Sequence, residues 1–290
     1  MEREPVRAGS FYPADPDMLT RAIEEAFTGP LGPGTIPAGT GCKRAVKGAV
    51  VPHAGYAYSG AVAAWVYSRL MDDGLPETFV IAGPNHTGLG KPVSVYPSGH
   101  WRTPLGSMEI DAELAEAVIA AGGGSADFTG HLQEHSIEVQ LPFLQFIAND
   151  SRIMPVCLNS QTIHQARALG EAVARAAVEL QRDIVFLASS DFTHAGLWYM
   201  QAPPAGQRVD QFAKQQDKKV IDRIMDLEPG ELLSTVDRHN ISMCGHGCIS
   251  AMLVYAAMAG AGQAELLKYA TSYDVSPADA AVGYAALLVT

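Results

Sequence analysis

Short apolar, β-branched runs alternate with longer amphipathic stretches along most of this 290-residue chain. Runs at about Ala45–Val51, Phe79–Ala82, Ile153–Leu158 and Ile184–Ala188 are too short and too rich in Val and Ile for helices, and they predict buried strands. Pro92–Tyr96 reads as a further strand, and Leu266–Ser272 and Ala281–Val289 as two final ones. Helices are expected over Pro16–Phe27, Ser59–Asp72, Asp111–Ala121, the Ala-rich Thr162–Gln181, Val209–Leu227 and Glu231–His239, with a buried one over Ile249–Ala259. His135–Phe146 begins as a helix, and Pro142 either bends it or fixes a late first turn. The Gly- and Pro-rich stretch Thr28–Gly41 must be irregular. This alternation predicts an α/β fold, with a mixed or mostly parallel central sheet and helices on both faces, in one domain spanning residues 1–290.

Composition narrows the partners more than the fold. A hydrophobic content of 48% with 18% charged residues fits a soluble protein with a sizeable core. The net charge of −11 argues against nucleic acid or an anionic membrane surface as the main partner. The start, Met1–Arg7, is charged and has no apolar core, so no signal peptide is expected there. The longest apolar stretch, Cys248–Gly262, is too short to cross a bilayer. Four cysteines without a targeting segment read as reduced thiols, and a cytoplasmic location is expected.

The chemistry is concentrated at the ends of the apolar runs. His53, His86 and His194 each close one, and His135 opens Glu134–Gln140. In an open α/β sheet, loops leaving the carboxyl ends of strands converge on one crevice, so imidazoles placed there predict a metal or acid–base site. A bland role is also open for His53 and His86: each ring can hold a turn by bonding backbone. Asp191, three residues before His194, can orient that imidazole or cap a following turn. Glu134, His135 and Glu138 can equally form the acidic first turn of a helix. Cys244 and Cys248 flank His246, but no second cysteine pair supplies a structural zinc site. Cys248 is expected to pack, Cys42 and Cys157 to lie outside the site, and Gly245 and Gly247 to let backbone approach a ligand. Phe11, Tyr12, Tyr56, Tyr58 and Trp101 are candidates for a pocket wall or for sealing the core. His100, His131, His164 and His239 read as ordinary polar residues.

Taken together, the motifs resemble one family. They are Arg7–Pro13, Pro52–Tyr56 with Ser59–Gly60, Gly83–His86, Arg102–Leu105, Glu134–Glu138, Ser189–His194, Cys244–Gly245 and Val282–Tyr284. In this order they resemble the Memo family, also called AmmeMemoRadiSam system protein B. The resemblance implies a fold similar to the catalytic subunit of class III extradiol dioxygenases. It implies a metal held by His53, His86 and Cys244, with His135, Asp191 and His194 as further pocket groups. Fe(II) is the expected ion, with copper or zinc as alternatives, because a thiolate replaces the carboxylate of the usual facial triad. The expected function is a metal-dependent redox enzyme, or a non-catalytic metal- or peptide-binding adaptor on the same scaffold. A radical SAM enzyme and an AMMECR-type protein are the partners the resemblance suggests. A metal-free triad of Cys244, His194 and Asp191 is a further possibility on residue types alone.

Overall fold

Burial decides the strands. In the computed structural model, which describes residues 2–39, 41–148 and 150–290, the runs at Gly48–Val51, Thr78–Pro84 and Ile184–Ser189 are buried on both faces. The chain begins with β1 (Glu2–Arg3), α1 (Pro16–Thr28), β2 (Gly48–Val51), α2 (Tyr56–Asp73), β3 (Thr78–Pro84) and β4 (Val93–Val95). A hairpin of β5 (His100–Thr103) and β6 (Gly106–Glu109) follows, then α3 (Ala112–Ala120), β7 (Ser125–Ala126), α4 (Leu141–Ile147) and β8 (Arg152–Leu158). The remainder is α5 (Ile163–Glu179), β9 (Ile184–Ser189), β10 (His194–Ala195), α6 (Val209–Met225), α7 (Pro229–His239), α8 (His246–Met258), β11 (Ala264–Thr271), α9 (Ser272–Val275) and β12 (Ala281–Val289).

The main sheet runs β10-β12-β2-β9-β3-β8-β4-β7, with β11 paired to β12. Its centre, β2, β9, β3 and β8, is parallel, while β12 and β4 join it antiparallel, so the sheet is mixed. Strand residues alternate between two cores. Val50, Val80 and Ala82 pack on the side of α3, α5 and α8, and Ala49, Val51, Phe79 and Ile81 on the side of α1, α2 and α4. Helices therefore cover both faces, as the alternation predicts. Asp15 caps α1 by accepting from the Met18 N–H at 2.9 Å, and Asp111 caps α3. Among the described residues no helix is long and apolar enough to cross a membrane.

Two expectations change. Residues 135–137 are not helical: a 3₁₀ turn at Glu138–Gln140 leads into α4, and Pro142 sits in the first turn, where its missing N–H costs nothing. The strands β1, β5 and β6 form a separate small sheet that the apolar pattern does not mark, because they are short and half exposed.

Candidate metal centre

Three neighbouring parallel strands deliver the site. Strand β2 ends one residue before Pro52-His53, β3 ends at Pro84 before Asn85-His86, and β9 ends at Ser189 before Ser190-Asp191. Since β9 lies between β2 and β3, their loops leave the same edge of the sheet side by side. His135 comes from the loop before α4, and one nitrogen each from His53, His86 and His135 lies within 4.8 Å of the others. The ring centroids are 5.3 Å apart for His53–His86, 5.6 Å for His53–His135 and 4.6 Å for the stacked pair His86–His135.

Hydrogen bonds fix how each imidazole presents itself. Gln140 Oε1 accepts from the Tyr67 hydroxyl at 2.7 Å, so its Nε2 donates, to Pro52 O at 2.9 Å and Ser189 Oγ at 3.0 Å. The Ser189 hydroxyl donates to Ser136 O at 2.6 Å, which leaves Ser189 Oγ to accept from His53 Nδ1 at 2.8 Å. His53 Nε2 then carries the lone pair. Glu134 does the same for His86 and lies close to His135. Its Oε1 lies 2.9 Å from His86 Nδ1 and 3.3 Å from His135 Nδ1, and its second oxygen accepts the His86 backbone N–H. Burial opposes ionisation of Glu134, but the bonds and charge from His86 outweigh it and hold the carboxyl well below its ordinary range. A carboxylate or hydroxyl on Nδ1 orients a histidine for ligation through Nε2. Burial, reinforced by the neighbouring imidazoles, keeps His53 neutral well below its ordinary range; burial likewise pushes His135 down to about 4. Neutral imidazole is the ligating form.

Cys244 places its Sγ 3.2 Å from His53 Nε2. The Asp191 N–H donates to this sulfur at 3.2 Å. Burial, with the Asp191 carboxylate nearby, pushes the thiol well above its ordinary range. Asp191 itself does not orient His194. Its Oδ1 accepts the His53 N–H at 2.8 Å, while His194 Nδ1 meets Ser242 O at 3.0 Å. His194 is thereby also fixed with Nδ1 donating and Nε2 free. Burial raises the Asp191 carboxyl, and His194 opposes the shift.

A cavity of about 530 Å³ opens over these groups, bordered by His53, His86, His135, Asp191 and His194. Phe11, Tyr58, Tyr199 and Tyr284 add aromatic walls. Of the five aromatic candidates only Phe11 and Tyr58 border it; Trp101 is fully buried, 4.1 Å beneath the Arg3 guanidinium. Gly245 and Gly247 make room for protein, not for a ligand: a Cβ would meet Ser189 O at 2.5 Å and Gln161 at 2.6 Å respectively. Cys248 is buried among apolar residues, as expected, and Cys42 is exposed. His131 is not a surface group. It is fully buried between Tyr96 and Trp101, and burial with Arg3 beside it depresses it to about 3.

Sequence reasoning passes over several supporting groups. Glu138 is completely buried and accepts from Arg3, Tyr12, Val6 N and Arg7 N, tying the N-terminal segment to the loop that carries His135. Phe11 in that segment then packs edge-on against His135, 4.8 Å between centroids.

A family model for Memo-like proteins matches residues 3–288. A MEMO1 family protein of Methanopyrus kandleri is 48% identical over 291 residues, covering 99% of each chain. Another, from Methanothermobacter thermautotrophicus, is 44% identical over 99% of this chain and 100% of its own, and one from Thermococcus onnurineus is 43% identical over 99% of each. With three imidazoles converging at the ends of parallel strands in a cluster able to bind a metal, the chain belongs to the Memo family, whose fold is extradiol dioxygenase-like.

Proposed function

We propose that this cavity holds a transition-metal ion, Fe(II) in preference to copper or zinc, and carries out oxidative chemistry on a small molecule. The observation that carries the reading is the convergence of three imidazoles, two of which, His53 and His86, are held through Nδ1 by a protein oxygen that turns Nε2 to a ligand. In this reading His53, His86 and Cys244 hold the ion. Nitrogen and sulfur ligands lie about 2.1 and 2.3 Å from zinc, so two that share an ion can stand up to roughly 4.4 Å apart. The 3.2 Å separation of His53 Nε2 and Cys244 Sγ fits within that. A bound redox-active ion would relay electrons from the substrate to dioxygen as the oxidant, and a soft thiolate among its ligands suits iron, copper(I) or zinc. His194, with Nε2 facing the cavity, accepts or donates a proton at that atom. Asp191 holds the His53 turn and gives the sulfur a hydrogen bond through its backbone N–H.

The proximity of the three imidazole nitrogens favours a second ligand set, His53, His86 and His135, with Cys244 as a neighbour of His53. Cobalt substitution separates the two. A sulfur-to-cobalt charge-transfer band that Cys244→Ser abolishes supports thiolate ligation, whereas loss of cobalt in His135→Gln but not in Cys244→Ser supports the all-imidazole set.

The test of the main reading is metal quantification in protein purified without oxygen, followed by oxygen uptake with candidate substrates. Stoichiometric iron that His53→Ala loses is the expected result. Protein free of bound metal, and indifferent to His53→Ala, would sink it. Tight metal with no oxygen uptake across a broad panel would leave a metal- or peptide-binding adaptor as the better account.

A further inference from the structure

Phe11 and Tyr58 border the histidine cavity and also a second one of about 830 Å³. This second cavity is a groove between α1, the start of α2 and the loop at residues 9–14. Met18, Tyr58 and Val275, exposed by 60%, 45% and 42%, all border it. Single exposed apolar side chains are ordinary, but three along one groove that shares its wall with a site are not. Tyr12 and Tyr56 use their hydroxyls on Glu138 and Val139 O, leaving ring carbon as their share of the wall.

Charge narrows the occupant. Among the described residues no Lys, Arg or His borders the groove, and its only charged neighbours are Glu25 and Asp274. The Asp274 carboxylate is already engaged by Thr271 N at 2.7 Å, Thr271 Oγ1 at 2.9 Å and Lys214. A carboxylate or phosphate arm would find no cation there and would face two acids.

We propose that the groove takes the uncharged, apolar arm of an amphiphilic small molecule whose polar head enters the histidine cavity. The arm passes between Phe11 and Tyr58. Ala22 on α1 and Ala61 on α2 border the groove and not the histidine cavity, and as small residues they set its width. The proposal rests on the metal-site reading for the head, and it adds the class of substrate.

The experiment titrates zinc-loaded protein calorimetrically with catechol, an uncharged metal-chelating head, and with 4-butylcatechol and 4-hexylcatechol. Octan-1-ol is titrated into metal-free protein in parallel. Each methylene entering the groove should tighten binding by up to about 4-fold. Ala61→Phe should remove this chain-length dependence and leave catechol unchanged. Ala22→Phe, filling the groove from the other helix, should do the same and covers the case in which the first variant does not fold. Wild-type affinity that ignores chain length, or a dependence that survives both variants, overturns the proposal. Failure of catechol itself to bind counts against the metal-site reading alone, and octan-1-ol then decides the groove. Binding that the Phe variants abolish supports it; no binding overturns it.

Discussion

Glu134 Oε1 lies 2.9 Å from Nδ1 of His86, and the same oxygen accepts the backbone N–H groups of His135 and Ser136 at 2.8 and 2.9 Å. One buried carboxylate thus fixes the tautomer of an imidazole carried by β3 and folds the loop that brings His135 beside it. The charge is essential to this arrangement, since an ionised carboxylate only accepts, and every neighbour offers a donor.

Glu134→Gln keeps the shape and removes the charge. Its amide oxygen can still accept from the loop N–H groups, but the pull on the His86 ring proton weakens. Outer partners of metal-binding histidines are worth about 10–100-fold in affinity. A chelator-competition titration should show iron or zinc bound that much more weakly, and urea unfolding a loss of about 1–3 kcal/mol, because the new NH2 faces the part-buried His86 N–H. Unaltered affinity would mean that His86 needs no carboxylate behind it.

How far the site was legible in the sequence follows from what each residue does locally. Histidines ending β-branched runs are conspicuous, because strand ends in an α/β sheet share one edge, and His53 and His86 sit where that rule puts them. Glu134 and Glu138 are not, because an acid ahead of a helix looks the same whether it serves a helix dipole or a buried network. Ser189, 136 residues from His53, and Gln140, 49 residues from Ser189, together set the tautomer of His53, which no local pattern encodes. Arg3 is likewise silent: a charged terminus reads as solvated, yet its side chain is buried against Trp101.

That buried arginine gives the second prediction. Its Nη1 donates to Glu138 at 2.8 Å, Nη2 to Glu134 O at 2.5 Å and Nε to His131 O at 2.7 Å. Removing one partner of a buried pair leaves the other charge stranded and costs about 3–5 kcal/mol. Arg3→Ala should lower stability by this amount in urea unfolding. Arg3→Lys should recover only part of it, since an ammonium cannot span three divergent acceptors. Equal stability of all three proteins would show that the N-terminal segment is not an anchor.

Gly245 tests the junction between β9 and α8. An added Cβ would lie 2.5 Å from Ser189 O and 2.6 Å from Ser190 Cβ, and the first of these is backbone that cannot swing aside. Gly245→Ala should therefore cost about 1–3 kcal/mol through overpacking. It should also move the adjacent Cys244 off His53. In a Cys42→Ser background, which removes the exposed thiol, the variant's Cys244 should react with a disulfide reagent several-fold faster than the parent's. Unchanged reactivity would separate the glycine from the sulfur's placement.

The last prediction concerns pH and lies under the loop from Asp191 to His194. Asp217 is fully buried, accepting from Thr193 N at 2.8 Å and the Tyr269 hydroxyl at 2.6 Å. Burial pushes its carboxyl from an ordinary 3.8 up to about 6, and the two donors hold it from rising further. The native state therefore binds this proton more tightly than the unfolded chain does. Its stabilising contribution is complete below about pH 4 and is lost as pH rises through about 6, a span of about 3 kcal/mol. Asp217→Asn is neutral throughout and lacks that loss. Relative to wild type, the variant should gain up to about 3 kcal/mol between pH 4 and pH 8 in parallel urea titrations. His135, depressed to about 4, tilts both proteins the opposite way over the acidic part of this range, and it cancels in the difference. Two curves that stay parallel from pH 4 to 8 would mean that Asp217 ionises in the fold as it does in water, and that the floor of the His194 loop tolerates its charge.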